Sequence, residues 1–274
     1  MSASWRGEEW RMTPEQIFKA LSRNDDEFPE AALHAALQQR DALAPMFEAE
    51  AERLMKQFDE IMEKSKTEKQ YAAAGEKLMR TPSPLFYGFL LAAEWKRKEA
   101  YRYYAYLLAW SWAGTPNLLS EIVYSDQAAR LMAEIYDGDP TPLFNLLVDQ
   151  YADQSYRFWQ FRTLILLVKK GGLDLATVKD FLIRAFDLLE QEPEQHVWRG
   201  WEEVIIYFGL EELIPLVERA HKAEWILEGT IEEFREKWAY ARAHPEAPIE
   251  GDLIAPYQGF DKEVAEAFAN RARP

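Results

Sequence analysis

The sequence predicts an all-α protein, a HEAT/armadillo-like α-solenoid of stacked helical hairpins, and three observations carry that prediction. Apolar residues recur at helical spacing in most windows, whereas strict alternation over five or more residues is rare. Hydroxyl–proline pairs and isolated glycines punctuate the chain where helices should start and stop. Hairpin-like units begin near Phe86, Ala128, Trp159 and Arg199, steps of 42, 31 and 40 residues that straddle the roughly 40-residue period of two-helix repeats. With 274 residues, 48% of them hydrophobic, the chain can bury the core such an array needs.

Taken in order, the spacing predicts helices over 13–22, 29–40 and 43–65, opened by Thr13-Pro14. The long charged helix around Phe47–Lys64 and the polar stretch Ser65–Gln70 set residues 1–70 apart as an N-terminal cap. Residues 71–245 form the repeats. Helices over 83–95 and 98–113 flank the charged turn Glu94-Trp95-Lys96-Arg97-Lys98-Glu99, a helical-hairpin signal. Thr81-Pro82-Ser83-Pro84, Thr115-Pro116 and Thr141-Pro142 mark further starts. Gly114, Gly138, Gly171-Gly172, Gly209 and Gly229 mark stops, because glycine accepts the left-handed turn that ends a helix. The remaining helices fall at 116–123, 126–136, 141–150, 154–170, 174–191, 194–208, 211–220, 222–228 and 230–243. Residues 246–274 read as an extension with a short helix over 261–271.

Composition excludes several functions. Forty-seven acidic against 32 basic residues give a net charge of −15, which repels phosphate backbones and anionic lipid. The longest basic cluster is Lys96-Arg97-Lys98, so neither nucleic acid nor membrane is an expected partner. The absence of cysteine removes thiolate metal sites, disulfides and cysteine nucleophiles, and fits a reducing compartment. Met1 to Trp10 lacks an apolar leader and no apolar run approaches the roughly 20 residues of a membrane helix, so the expected location is cytoplasmic. His34, His196, His221 and His244 make no pair at ligand spacing, and phosphate-loop, dinucleotide and nucleophile-elbow motifs are missing. No metal or cofactor is expected.

Carboxylate pairs occur at Asp137/Asp139 and Glu202/Glu203 and in Asp25-Asp26-Glu27. Tyr136, Asp137, Gly138 and Asp139 read as a structural turn between two helices, and Glu202 and Glu203 as solvated. The aromatic supply is large. On a helical wheel 98–113 is apolar around most of its circumference, and Tyr156, Phe158, Trp159 and Phe161 form a second group, both reading mainly as core. Tyr, Trp and Arg nonetheless anchor protein interfaces, which makes Tyr106, Trp110, Trp159 and Arg162 the candidate binding residues.

The segment Leu131-Met132-Ala133-Glu134-Ile135-Tyr136-Asp137-Gly138-Asp139-Pro140, with Leu143 to Asp149 and Arg162 to Val168, resembles an uncharacterised bacterial family of HEAT-like proteins, a domain of unknown function. Leu33 to Leu43 with Gln38-Gln39-Arg40 is similar to that family's first helix, and Phe89 to Leu108 to its helical hairpin. The resemblance implies the fold and no reaction; many relatives carry a Cys-rich zinc-binding tail, which a chain without cysteine lacks. The expected function is a non-catalytic scaffold for a protein or peptide partner. The alternative is an all-helical hydrolase using Asp/Glu acid–base chemistry in an aromatic-lined cleft.

Overall fold

In the computed structural model, residues 12–22, 28–79, 81–110, 119, 125–193, 195–248 and 254–271 are described. They are almost wholly helical: α1 (Pro14–Leu21), α2 (Glu30–Leu37), α3 (Arg40–Lys64), α4 (Glu68–Met79), α5 (Leu85–Glu94), α6 (Tyr101–Ala109) and α7 (Asp126–Ile135) are followed by α8 (Thr141–Val148), α9 (Gln154–Lys169), α10 (Leu175–Leu188), α11 (Val197–Phe208), α12 (Ile214–Lys222), α13 (Ile231–Ala243) and α14 (Phe260–Arg271). The one extended pairing among the described residues is the isolated bridge between Gln195 and Ile226.

Local sequence explains most of these boundaries. Thr13 caps α1 with its hydroxyl on the Gln16 amide, while the Gln16 side chain accepts from the Thr13 amide, a reciprocal capping box with Pro14 in the first turn. Elsewhere the expected hydroxyl cap shifts. α5 begins only at Leu85, whose amide donates to the Ser83 hydroxyl, and in α8 Thr141 is the first helical residue, its amide held by Asp139. Thr115-Pro116, Gly114 and, apart from Leu119, the helix expected over 116–123 lie outside the described residues.

Two expectations are corrected. The polar stretch after α3 leads into α4, a helix the sequence did not announce because its apolar face is confined to a few positions such as Tyr71 and Leu78. No helix spans 222–228. Glu224 takes a left-handed conformation (φ 60°) that ends α12. Trp225 then stacks on Trp198 at 5.1 Å, its carbonyl accepting from the Gln195 amide. Burying an indole against another indole outweighs one more helical turn.

Helices pack mainly on their second neighbours. α5 lies on α7, α7 on α9, α9 on α11 and α11 on α13, while α6 lies on α8 and α8 on α10. The odd-numbered helices thus form one layer backed by the even-numbered ones, through α6 with α7 and α8 with α9, and α3 closes the N-terminal end against α5 and α6. This explains α9, which is buried nearly all round. Tyr156, Phe161, Leu164 and Ile165 are all fully buried because α7, α8 and α11 surround it. Burying each such side chain contributes about 1.5–3 kcal/mol. The α9–α11 contact is close enough to require Gly200, where an added Cβ would stand 2.8 Å from the Phe158 carbonyl oxygen.

Candidate functional site

Beyond the core, the face of the odd-numbered layer turned away from the even-numbered helices carries the chemistry. A cavity of about 680 Å³ opens there, walled by α9, α11 and α13 together with residues 228–230 and Pro248. Its aromatic surface comes from Phe158, Phe234 and Tyr240.

Arg162, at 8% exposure, projects from α9 into this cavity. Glu203 of α11 holds it with two hydrogen bonds of 3.1 and 2.9 Å, and its guanidinium lies 4.6 Å from the Trp159 ring centroid and 5.5 Å from that of Phe158. A planar guanidinium gripped by a carboxylate and stacked on aromatic rings is a rigid arrangement. Arg199 repeats it at the cavity edge, 5.7 Å from Phe158 and bonded to Glu228 at 2.6 Å. His196, its ring tilted against Phe158 at 4.9 Å, has a pKa lowered by burial and by the neighbouring Arg199 charge.

The expected solvation of Glu202 and Glu203 is thereby corrected. Glu203 pairs with Arg162, and Glu202 meets the His221 ring at 2.7 Å. Sequence adjacency could not show either partner, since both come from other helices.

The structure separates the four aromatic and arginine candidates into two pairs. Trp159 and Arg162 sit together on α9, Arg162 lining the cavity and Trp159 lying against its guanidinium. Tyr106 and Trp110 lie at the other end of the array, facing the N-terminal helices: the Tyr106 hydroxyl donates to Asp59 on α3 at 2.6 Å, and Trp110 stacks on Phe58 at 4.3 Å. The turn residues form a third, separate group. Gly138 holds φ 104°, the Asp137 carboxylate accepts from the Asp139 amide, and Arg102 spans Asp137 and Asp139 at 3.2 and 3.0 Å. Hydrogen bonding from Thr141, with the Arg102 charge adding to it, holds Asp139 below the usual carboxylate range.

One element unforeseen as a site component packs on the odd-numbered layer. α14 packs on α5, and its Glu263, fully buried, receives Arg130 of α7 at 3.0 and 3.1 Å and the Gln127 side-chain amide at 2.9 Å. Glu266 and Asp126 complete the ring around Arg130, and Tyr257 donates to Glu94 at the end of α5. The available sequence signal was a charged residue set among apolar neighbours, Arg130 in α7 and Arg162 in α9; their carboxylate partners carried none.

An all-helical, two-layered protein with a charged, aromatic hollow on its free face is the class these features define. The chain belongs to the family described as Protein of unknown function (DUF1186), whose model matches residues 12–237. No curated protein and no solved structure matched the chain. No helix among the described residues is long and apolar enough to cross a membrane.

Proposed function

We propose that this chain is a HEAT/armadillo-like α-solenoid acting as a non-catalytic scaffold that holds a protein or peptide segment in the groove between α9, α11 and α13. The observation that carries the reading is α14. A helix is already held on the free face of the odd-numbered layer, by buried carboxylate–arginine contacts and by Phe268 packed against Tyr87 and Phe28. The next three helices along that layer offer the same combination of arginines, carboxylates and aromatic rings, and among the described residues no helix lies on them. Packing of each odd-numbered helix on the next supports the solenoid assignment, since repeat arrays bury their faces only against neighbours.

The hydrolase alternative gains less from this geometry. Glycosidase chemistry requires one carboxyl free to protonate a leaving group and a second free to act opposite it. In the groove Glu203 is committed to Arg162, Glu228 to Arg199, Glu202 to His221, and Glu233 to the capping box of α13, which leaves Glu236 as a single open carboxyl where two are needed.

Panning a random peptide display library against the full chain tests the scaffold reading, with a Lys237→Ala/Tyr240→Ala variant as the groove control. Wild type should enrich peptides that the variant binds at least about tenfold more weakly. Turnover of a glycoside or ester panel, lost in Glu202→Gln or Glu236→Gln, would replace the scaffold with the hydrolase.

A further inference from the structure

We infer that the occupant of this groove is a basic peptide segment, whose arginine or lysine side chain lies against the Glu236 carboxylate and the Tyr240 ring on α13; the inference rests on reading the groove as a peptide site. The charge balance inside the hollow points this way. Arg162 with Glu203 and Arg199 with Glu228 neutralise one another. The other charged groups of the lining are the carboxylates of Glu202, Glu233 and Glu236 against the single ammonium of Lys237. Glu202 meets His221 and Glu233 caps α13, so Glu236 is the lining carboxylate left open: an anionic partner would meet a wall of net negative charge whose two guanidiniums are already engaged, whereas a cationic one meets Glu236.

The groove also displays, twice over, how it handles a guanidinium. Arg162 and Arg199 are each held by a glutamate while lying over the Phe158 ring, which combines charge pairing with attraction to the ring face. Glu236 and Tyr240, four residues apart on α13, offer the same pairing of carboxylate and ring on the facing wall. Tyr240 stacks on His244 at 4.1 Å, and among the described residues no guanidinium or ammonium lies over its ring. The arrangement supplied internally at Phe158 is therefore left for an incoming side chain at Tyr240. A volume of about 680 Å³ takes a few residues of chain, within the roughly 300–1,000 Å³ range of ligand pockets.

The test is the composition of groove-dependent binders, meaning peptides from the panned library that lose binding to Lys237→Ala/Tyr240→Ala. Arginine and lysine should outnumber aspartate and glutamate several-fold in that set. Panning against Glu236→Lys, a change at an exposed position of α13, should remove or reverse the excess. A resynthesised basic binder, titrated by fluorescence anisotropy, should weaken several-fold between about 50 and 200 mM salt as screening increases. Groove-dependent binders without a basic excess would overturn the charge assignment and leave the scaffold intact. A library yielding no groove-dependent binder would overturn both.

Discussion

Gly138 shows how a single residue can be constrained by its backbone alone. Its φ of 104° lies where side-chain-bearing residues are strained, yet a Cβ added there would meet nothing within 4 Å. Gly138→Val should therefore cost more than about 1 kcal/mol through the backbone, lowering the urea midpoint without changing the slope. Arg102 beside it is a contrast: it bridges Asp137 and Asp139 from a largely exposed position, so Arg102→Ala should cost less than about 1 kcal/mol. His196 adds a pH dependence. Burial and then Arg199 depress its pKa, so the unfolded chain binds the proton more tightly than the folded one. Its contribution to stability is complete above the unfolded value of about 6.5 and is lost as pH falls below it. Urea midpoints at pH 7.5 and 5.5 should fall further in wild type than in His196→Gln, where the carboxylate titrations are shared; parallel falls would contradict the assignment.

Among the elements, α14 depends on its buried glutamate. Glu263→Gln keeps the shape but weakens the charge-assisted bonds to Arg130, which retains Asp126 and Glu266, so a loss of about 1–3 kcal/mol is expected. Arg130→Met should cost more, about 3–5 kcal/mol, because it strands a carboxylate in the core. In both variants hydrogen exchange across 260–271 should rise before exchange in α9 and α11 does; uniform protection would show that α14 is held by its apolar contacts. The α9–α11 contact is a different kind of dependence. Gly200→Ala places a methyl against the Phe158 carbonyl oxygen and Phe161, and the overpacking should cost about 1–3 kcal/mol.

For the molecule as a whole, the decisive quantity is the net charge of −15. At about 50 mM salt, where phosphate contacts are strongest, titration with duplex or single-stranded oligonucleotides should give no saturable binding. Tight binding that falls steeply toward 200 mM would mean that folding gathers scattered cations into a basic groove, and it would displace the peptide partner. The groove is acidic on balance, in keeping with the charge of the chain around it.

What the sequence determined by itself is local. Helix content, the capping box at Thr13, the stop at Gly209 and the turn at Tyr136–Asp139 depend on residues within a few positions of one another, and a window of that size contains all the physics required. The helix expected over 222–228 failed for the complementary reason: Trp225 answers to Trp198 and Gln195, which no local window includes. Tertiary structure alone decided the site. Arg162 meets Glu203 across 41 residues and Arg130 meets Glu263 across 133. It likewise parted Tyr106 and Trp110 from Trp159 and Arg162. A charge set among apolar residues announces that a partner is needed, because an unpaired buried ion is too costly to keep. Which carboxylate answers it is chosen by the packing that brings distant helices into contact.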